Sequence, residues 1–142
     1  MKLIFFICPF ILFSCISKGE LLPVVPDHIF HSNSAKTWIL KRHIVENENQ
    51  VPLINENKMA FTFYYNHTFR KQKMIRLGSN TSENGSFSFQ TNPDEEIFMT
   101  LHYYDGSLKK FNVKKMSYTT IQLEKLGGIK EKWELVTLNP PK

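Results

Sequence analysis

Residues 97–113, IFMTLHYYDGSLKKFNV, decide how this chain folds. Ile97, Met99, Leu101 and Tyr103 alternate with Phe98, Thr100 and His102, the two-residue period of a strand with one face on a core. Asp105-Gly106 then gives a hairpin signal, because a tight turn between strands needs residues that accept positive φ. Beyond it Phe111 and Val113 resume the alternation. The segment predicts an antiparallel hairpin, and the rest of the chain can be read outward from it.

Toward the C-terminus, Ser117-Tyr118 is a turn and Ile121 and Leu123 alternate; after Gly127-Gly128, Trp133, Leu135 and Thr137 alternate through residues 132–138. Toward the N-terminus, residues 86–90 place Phe87 and Phe89 on one side, after an open polar loop over residues 78–85. Residues 68–77, TFRKQKMIRL, form a less regular strand, joined through an Asn66-His67 turn to residues 59–65, where Phe61, Phe63 and Tyr65 share a face. Residues 36–45, KTWILKRHIV, put Trp38, Leu40 and Ile44 on one face. No long window carries a 3.6-residue period. The fold class is all-β: an eight-stranded antiparallel up-and-down barrel, whose closure removes exposed edges, or alternatively a two-sheet β-sandwich.

The first residues belong to another physical regime. Met1-Lys2 precedes an apolar run over residues 3–13, too short for a comfortable membrane span of about 20 residues. It ends in Leu12-Phe13-Ser14-Cys15, which resembles the lipobox of bacterial lipoproteins: an aliphatic residue, a variable one, a small one, then cysteine. The resemblance implies cleavage after Ser14 and diacylation of the Cys15 sulfur, with palmitate-like chains as the anchor. Two or more chains hold stably where one does not. The expected organisation is a removed signal peptide (1–14), a lipidated tether (15–35) containing Pro23 and Pro26, a β domain (36–138) and a short C-terminal tail (139–142).

Chemistry-bearing residues are sparse. Both cysteines, Cys8 and Cys15, lie in the leader region, so the β domain has no thiol for a disulfide, a metal site or a nucleophile. His28 and His31 are three apart inside the tether with no further ligand at metal spacing. Asp94-Glu95-Glu96 is the only acidic cluster; it follows Pro93 and reads as a solvated turn. No metal, no cofactor and no catalytic role are expected. The net charge of +5 rests on scattered lysines, read as solvated surface, and export points away from nucleic acid.

Lys36-Thr37-Trp38-Ile39-Leu40, Phe61-Thr62-Phe63 with Thr68-Phe69, and Tyr104-Asp105-Gly106-Ser107 are followed by Phe111-Asn112-Val113, Ile121-Gln122-Leu123 and Trp133-Glu134-Leu135. Together they resemble the lipocalin-like lipoproteins of Gram-negative bacteria. The resemblance implies a lipid-anchored barrel at the outer membrane, on its periplasmic or cell-surface face, with Trp38 closing the base by packing. Lysine stands at position 36 where that pattern has glycine. Two non-enzymatic roles follow. In the first, the barrel takes a small apolar ligand lined by Phe61, Phe63, Phe87, Phe89, Met99 and Tyr103. In the second, those side chains are simply the core, and the protein docks onto an envelope assembly such as a secretion or transport apparatus, with the basic strand 69–77 and Lys109-Lys110 as the partner face.

Overall fold

In the computed structural model, which describes residues 26–49 and 58–138, the alternating runs become one closed sheet. A short helix, α1 (Pro26–His31), precedes β1 (Ala35–Val45), which turns back into the two-residue β2 (Glu48–Asn49). Then come β3 (Met59–Tyr64), β4 (Thr68–Lys73), β5 (Glu83–Thr91), β6 (Ile97–Tyr103), β7 (Leu108–Met116), β8 (Thr120–Lys125) and β9 (Glu131–Thr137). The long strands pair antiparallel in chain order, and β1 closes onto β9 from Trp38↔Thr137 to Val45↔Glu131. This is an eight-stranded up-and-down barrel with β2 as a short extension. The continuous ladder between first and last strands excludes the sandwich.

The hairpin at 97–113 forms as its sequence requires. Tyr103 N–H donates to Ser107 O at 2.9 Å, and Gly106 takes φ of 88°, where a side chain would be strained. Elsewhere the structure moves some boundaries. β4 stops at Lys73 rather than Leu77, and Met74–Arg76 make a 3-10 turn. The buried Gln72 amide causes this: its Nε2 reaches the carbonyls of Arg76 (3.2 Å), Ser79 (2.9 Å) and Thr81 (3.2 Å), folding the chain back over the strand end. β5 starts at Glu83, inside the expected polar loop. Gly85 is a strand residue because nothing larger fits: a Cβ there would strike the His102 carbonyl oxygen and lie 2.6 Å from the Phe69 ring.

A β-bulge between Leu40 and Arg42 changes which side chains of β1 face inward. Alternation read straight through puts Ile44 inside. The extra residue instead sets His43 opposite the buried Trp133, and Ile44 opposite Lys132.

The tether expected over residues 15–35 is not all tether. Residues 15–25 lie outside the described residues, but α1 is packed into one end of the barrel. Phe30 is fully buried, edge-on to Phe63 at 5.1 Å and tilted against Phe89 at 4.9 Å. Burying such a ring stabilises the fold by about 1.5–3 kcal/mol. Its carbonyl accepts a 2.9 Å hydrogen bond from Trp38 Nε1. Lys36 completes this base: its ammonium sits 4.2 Å over the Trp38 ring and donates to Tyr118 O (2.6 Å) and Ile29 O (3.3 Å). Burial lowers the Lys36 pKa from its ordinary value.

Candidate functional site

The up-and-down topology gives the barrel two unlike ends. α1 and the connections at residues 65–67, 92–96 and 117–119 lie at the plugged end; those at 74–82, 104–107 and 126–130 lie at the far end.

All six residues expected to line a ligand pocket are brought together. Phe61, Phe63, Phe87, Met99 and Tyr103 are buried, and Phe89 packs against them half-buried. Yet they meet one another and the plug. Phe63 is edge-on to Phe87 at 5.1 Å, Phe87 to Phe89 at 5.9 Å, and Phe61 tilts against Trp133 at 5.2 Å. Spacings of this kind are those of a packed aromatic core. Cys15 lies outside the described residues.

Toward the far end the inward-facing positions change from apolar to charged. Residues directly opposite on neighbouring strands share a face, so cross-strand pairs identify what points inward. Lys71 lies opposite Phe61, Lys109 opposite Leu101 and Lys125 opposite Phe111, each partner fully buried. Glu131 lies opposite Val45, two residues before Trp133. Three lysines thus continue the inner face that aromatic and aliphatic residues begin.

Glu131, 7 % exposed, is the centre of this layer. Its Oε1 accepts from Trp133 Nε1 at 2.7 Å and lies 2.9 Å from His43 Nε2, while Lys125 approaches Oε2 at 3.3 Å and Lys109 approaches Oε1 at 3.7 Å. Burial pushes the Glu131 carboxyl up. The Trp133 hydrogen bond, the Lys109 charge and the bonds from His43 and Lys125 outweigh that, holding it below its ordinary value. Lys71 pairs with Glu83 at 2.8 Å and lies 5.8 Å over the Tyr103 ring; Lys109 lies 5.1 Å over Trp133. The Tyr103 hydroxyl, last on the inner face of β6, is buried with no hydrogen-bond partner among the described residues. Its pKa is pushed far above the phenol range by burial, with Glu83, Glu131 and Asp105 adding to the rise.

Around this layer the far-end loops expose large apolar side chains. Ile75 and Leu77 follow β4, Tyr104 and Leu108 flank the β6–β7 turn, and Leu126 and Ile129 flank the β8–β9 turn, with exposures from 38 to 70 %. All six lie at the same end of the barrel. The plugged end exposes Tyr65 and Tyr118 and carries the acidic turn Asp94-Glu95-Glu96, where Glu96 N–H donates to Asn92 Oδ1 at 2.8 Å.

Comparison with family models, curated proteins and solved structures finds no match.

Among the described residues, no three His, Cys, Asp or Glu are grouped to hold a metal ion, and no helix is long and apolar enough to cross a membrane. His28 and His31 sit on α1 with ring centroids 5.9 Å apart, His31 buried. Sequence reasoning missed Lys71, Lys109, Lys125, Glu131 and His43 as one site. The first four carry a signal: each sits two residues from a buried aromatic or leucine (Phe69, Phe111, Leu123, Trp133) on an unbroken alternation. His43 carries none, because the bulge that turns it inward leaves no mark in the pattern.

Proposed function

We propose that this chain is a lipid-anchored, non-enzymatic protein of the Gram-negative outer membrane that binds through the far end of its barrel. The collar of Ile75, Leu77, Tyr104, Leu108, Leu126 and Ile129 around a charged inner layer carries the reading. Exposed apolar side chains clustered at one end cost solvation unless something covers them.

The anchor rests on the lipobox pattern at Cys15. The eight-strand closure supports the resemblance to lipocalin-like lipoproteins in its fold, and the filled aromatic interior favours docking over an enclosed apolar ligand. The non-enzymatic reading is supported by Glu131, which Trp133, His43 and the charges of Lys109 and Lys125 keep ionised as a counter-ion rather than poised as an acid.

Two experiments test this. A Cys15→Ser variant should lose acyl labelling and remain unprocessed; normal labelling removes the anchor. A photo-activated cross-linking residue at Leu108 or Ile129 should capture a membrane component in intact cells, whereas the same probe at Tyr65 or Tyr118 should not. Capture only from Tyr65 or Tyr118 would overturn the far end as the binding surface.

A further inference from the structure

Building on that reading, we infer that the far end docks on an anionic bilayer surface, with the apolar collar among the lipids and a headgroup phosphate against the inner lysine layer.

The inner layer is rich in donors and poor in acceptors. Each lysine ammonium carries three N–H donors, while a carboxylate offers two oxygens. Glu131 Oε1 is already shared by Trp133, His43 and Lys109, and its Oε2 faces Lys125. Among the described residues, Lys109 is held by charge at 3.7 Å and by the Trp133 ring, with no hydrogen bond to occupy its donors. Lys71 is bonded to Glu83, which lies on the rim and is 59 % exposed. A group that brings oxygen acceptors without donors of its own completes this arrangement, and a phosphodiester is such a group.

The Tyr103 hydroxyl gives independent support. It is 7 % exposed and has no hydrogen-bond partner among the described residues. A buried hydroxyl with no partner costs about 1–3 kcal/mol, and natural structures carry few of them. An incoming phosphate oxygen is an acceptor it lacks.

The collar fits the same occupant. Arg76 stands between Ile75 and Leu77, Lys73 lies two residues before Ile75, and Ile129 precedes Lys130, all exposed. Apolar side chains interleaved with cations suit the interface of an anionic bilayer. Glu46, Glu48, Glu83, Asp105 and Glu131 share this end, yet among the described residues cations still exceed carboxylates there. The plugged end has the opposite balance, with Asp27, Asp94, Glu95 and Glu96 against Lys36 and Lys115.

The test is co-sedimentation of residues 15–142 carrying Cys15→Ser, so that neither the apolar leader nor an acyl chain contributes, with two kinds of vesicle. One is phosphatidylcholine alone; the other is an equimolar mixture with phosphatidylglycerol. Binding should favour the mixture and weaken with salt, which screens charges beyond about 10 Å at 0.1 M. Lys109→Gln should weaken it about fivefold, the equivalent of roughly 1 kcal/mol per lysine at an anionic surface. Tyr103→Phe should weaken it by a similar factor without lowering stability, since it deletes a hydroxyl that no described residue bonds. Equal binding to both vesicles, or wild-type binding by both variants, overturns the headgroup site. No vesicle binding, together with capture of a protein from Leu108 or Ile129 in cells, overturns the lipid occupant while leaving the far end as the binding surface.

Discussion

The barrel's plugged and far ends begin from the same alternating strands and finish in opposite ways. At the plugged end the inner face ends in Trp38, Phe63 and Phe89, and α1 drops Phe30 onto them, so hydrophobic burial and one indole hydrogen bond seal the base. At the far end the inner face ends in Lys71, Lys109, Lys125 and Glu131, while apolar residues sit outside on the loops. A globular core wants the reverse of that second arrangement. One end is organised for stability, and the other departs from what stability alone selects. Such departures are where function is to be sought.

The contrast can be broken most severely at the plug. Phe30→Ala removes a fully buried ring that packs on three aromatic partners and should cost about 3–5 kcal/mol, read as a lowered urea midpoint. A loss below about 1 kcal/mol would mean that α1 rests on the barrel rather than sealing it. Gly85→Ala, at the β5–β6 ladder, should cost about 1–3 kcal/mol, because the new methyl meets a strand carbonyl and the Phe69 ring.

Glu131→Gln sharpens the comparison by pH. The carboxyl's folded pKa is lowered, so its stabilisation is present above the ordinary carboxylate range and is lost as pH falls through the folded value. At neutral pH the variant should be about 1–3 kcal/mol less stable than wild type, with the gap closing below roughly pH 4. A gap that does not vary with pH would show that the ionised carboxylate is not what the donors hold. The smallest effect is expected at the collar: Leu108→Ser and Ile129→Ser should change stability by no more than about 0.5 kcal/mol while reducing membrane capture. A large loss of stability from either would place these side chains in the core.

Much of the architecture was legible because strand alternation and turn chemistry are local. The 97–113 hairpin, the turns at Asn66-His67 and Ser117-Tyr118, and the inward Phe61, Phe63, Met99 and Leu101 all follow from a few neighbouring residues. What escaped depends on contacts across the fold. A helix as short as α1 has no period to detect, and Phe30 earns its place only once a barrel exists to receive it. Gln72 bends residues 74–81 through the carbonyls of Arg76, Ser79 and Thr81, nearby in sequence but reached only once its amide is buried, and the β1 bulge reverses the facing of His43 and Ile44 with nothing local to announce it. The candidate lining residues do meet on one inner face, but whether gathered aromatics enclose a space or fill it depends on how the rings interlock. The far-end site was half visible: the alternation through Lys109, Lys125 and Glu131 was present, and a lysine on an inner face reads too easily as solvated surface.

The most direct test of the two-ended account is amide hydrogen exchange on the full chain, in native membranes and free of them. Protection on membrane binding confined to residues 74–82, 104–108 and 126–130, with residues 65–67, 92–96 and 117–119 unchanged, is the expected result. Protection at the plugged-end turns instead, with the far-end loops exchanging as they do in solution, would contradict it.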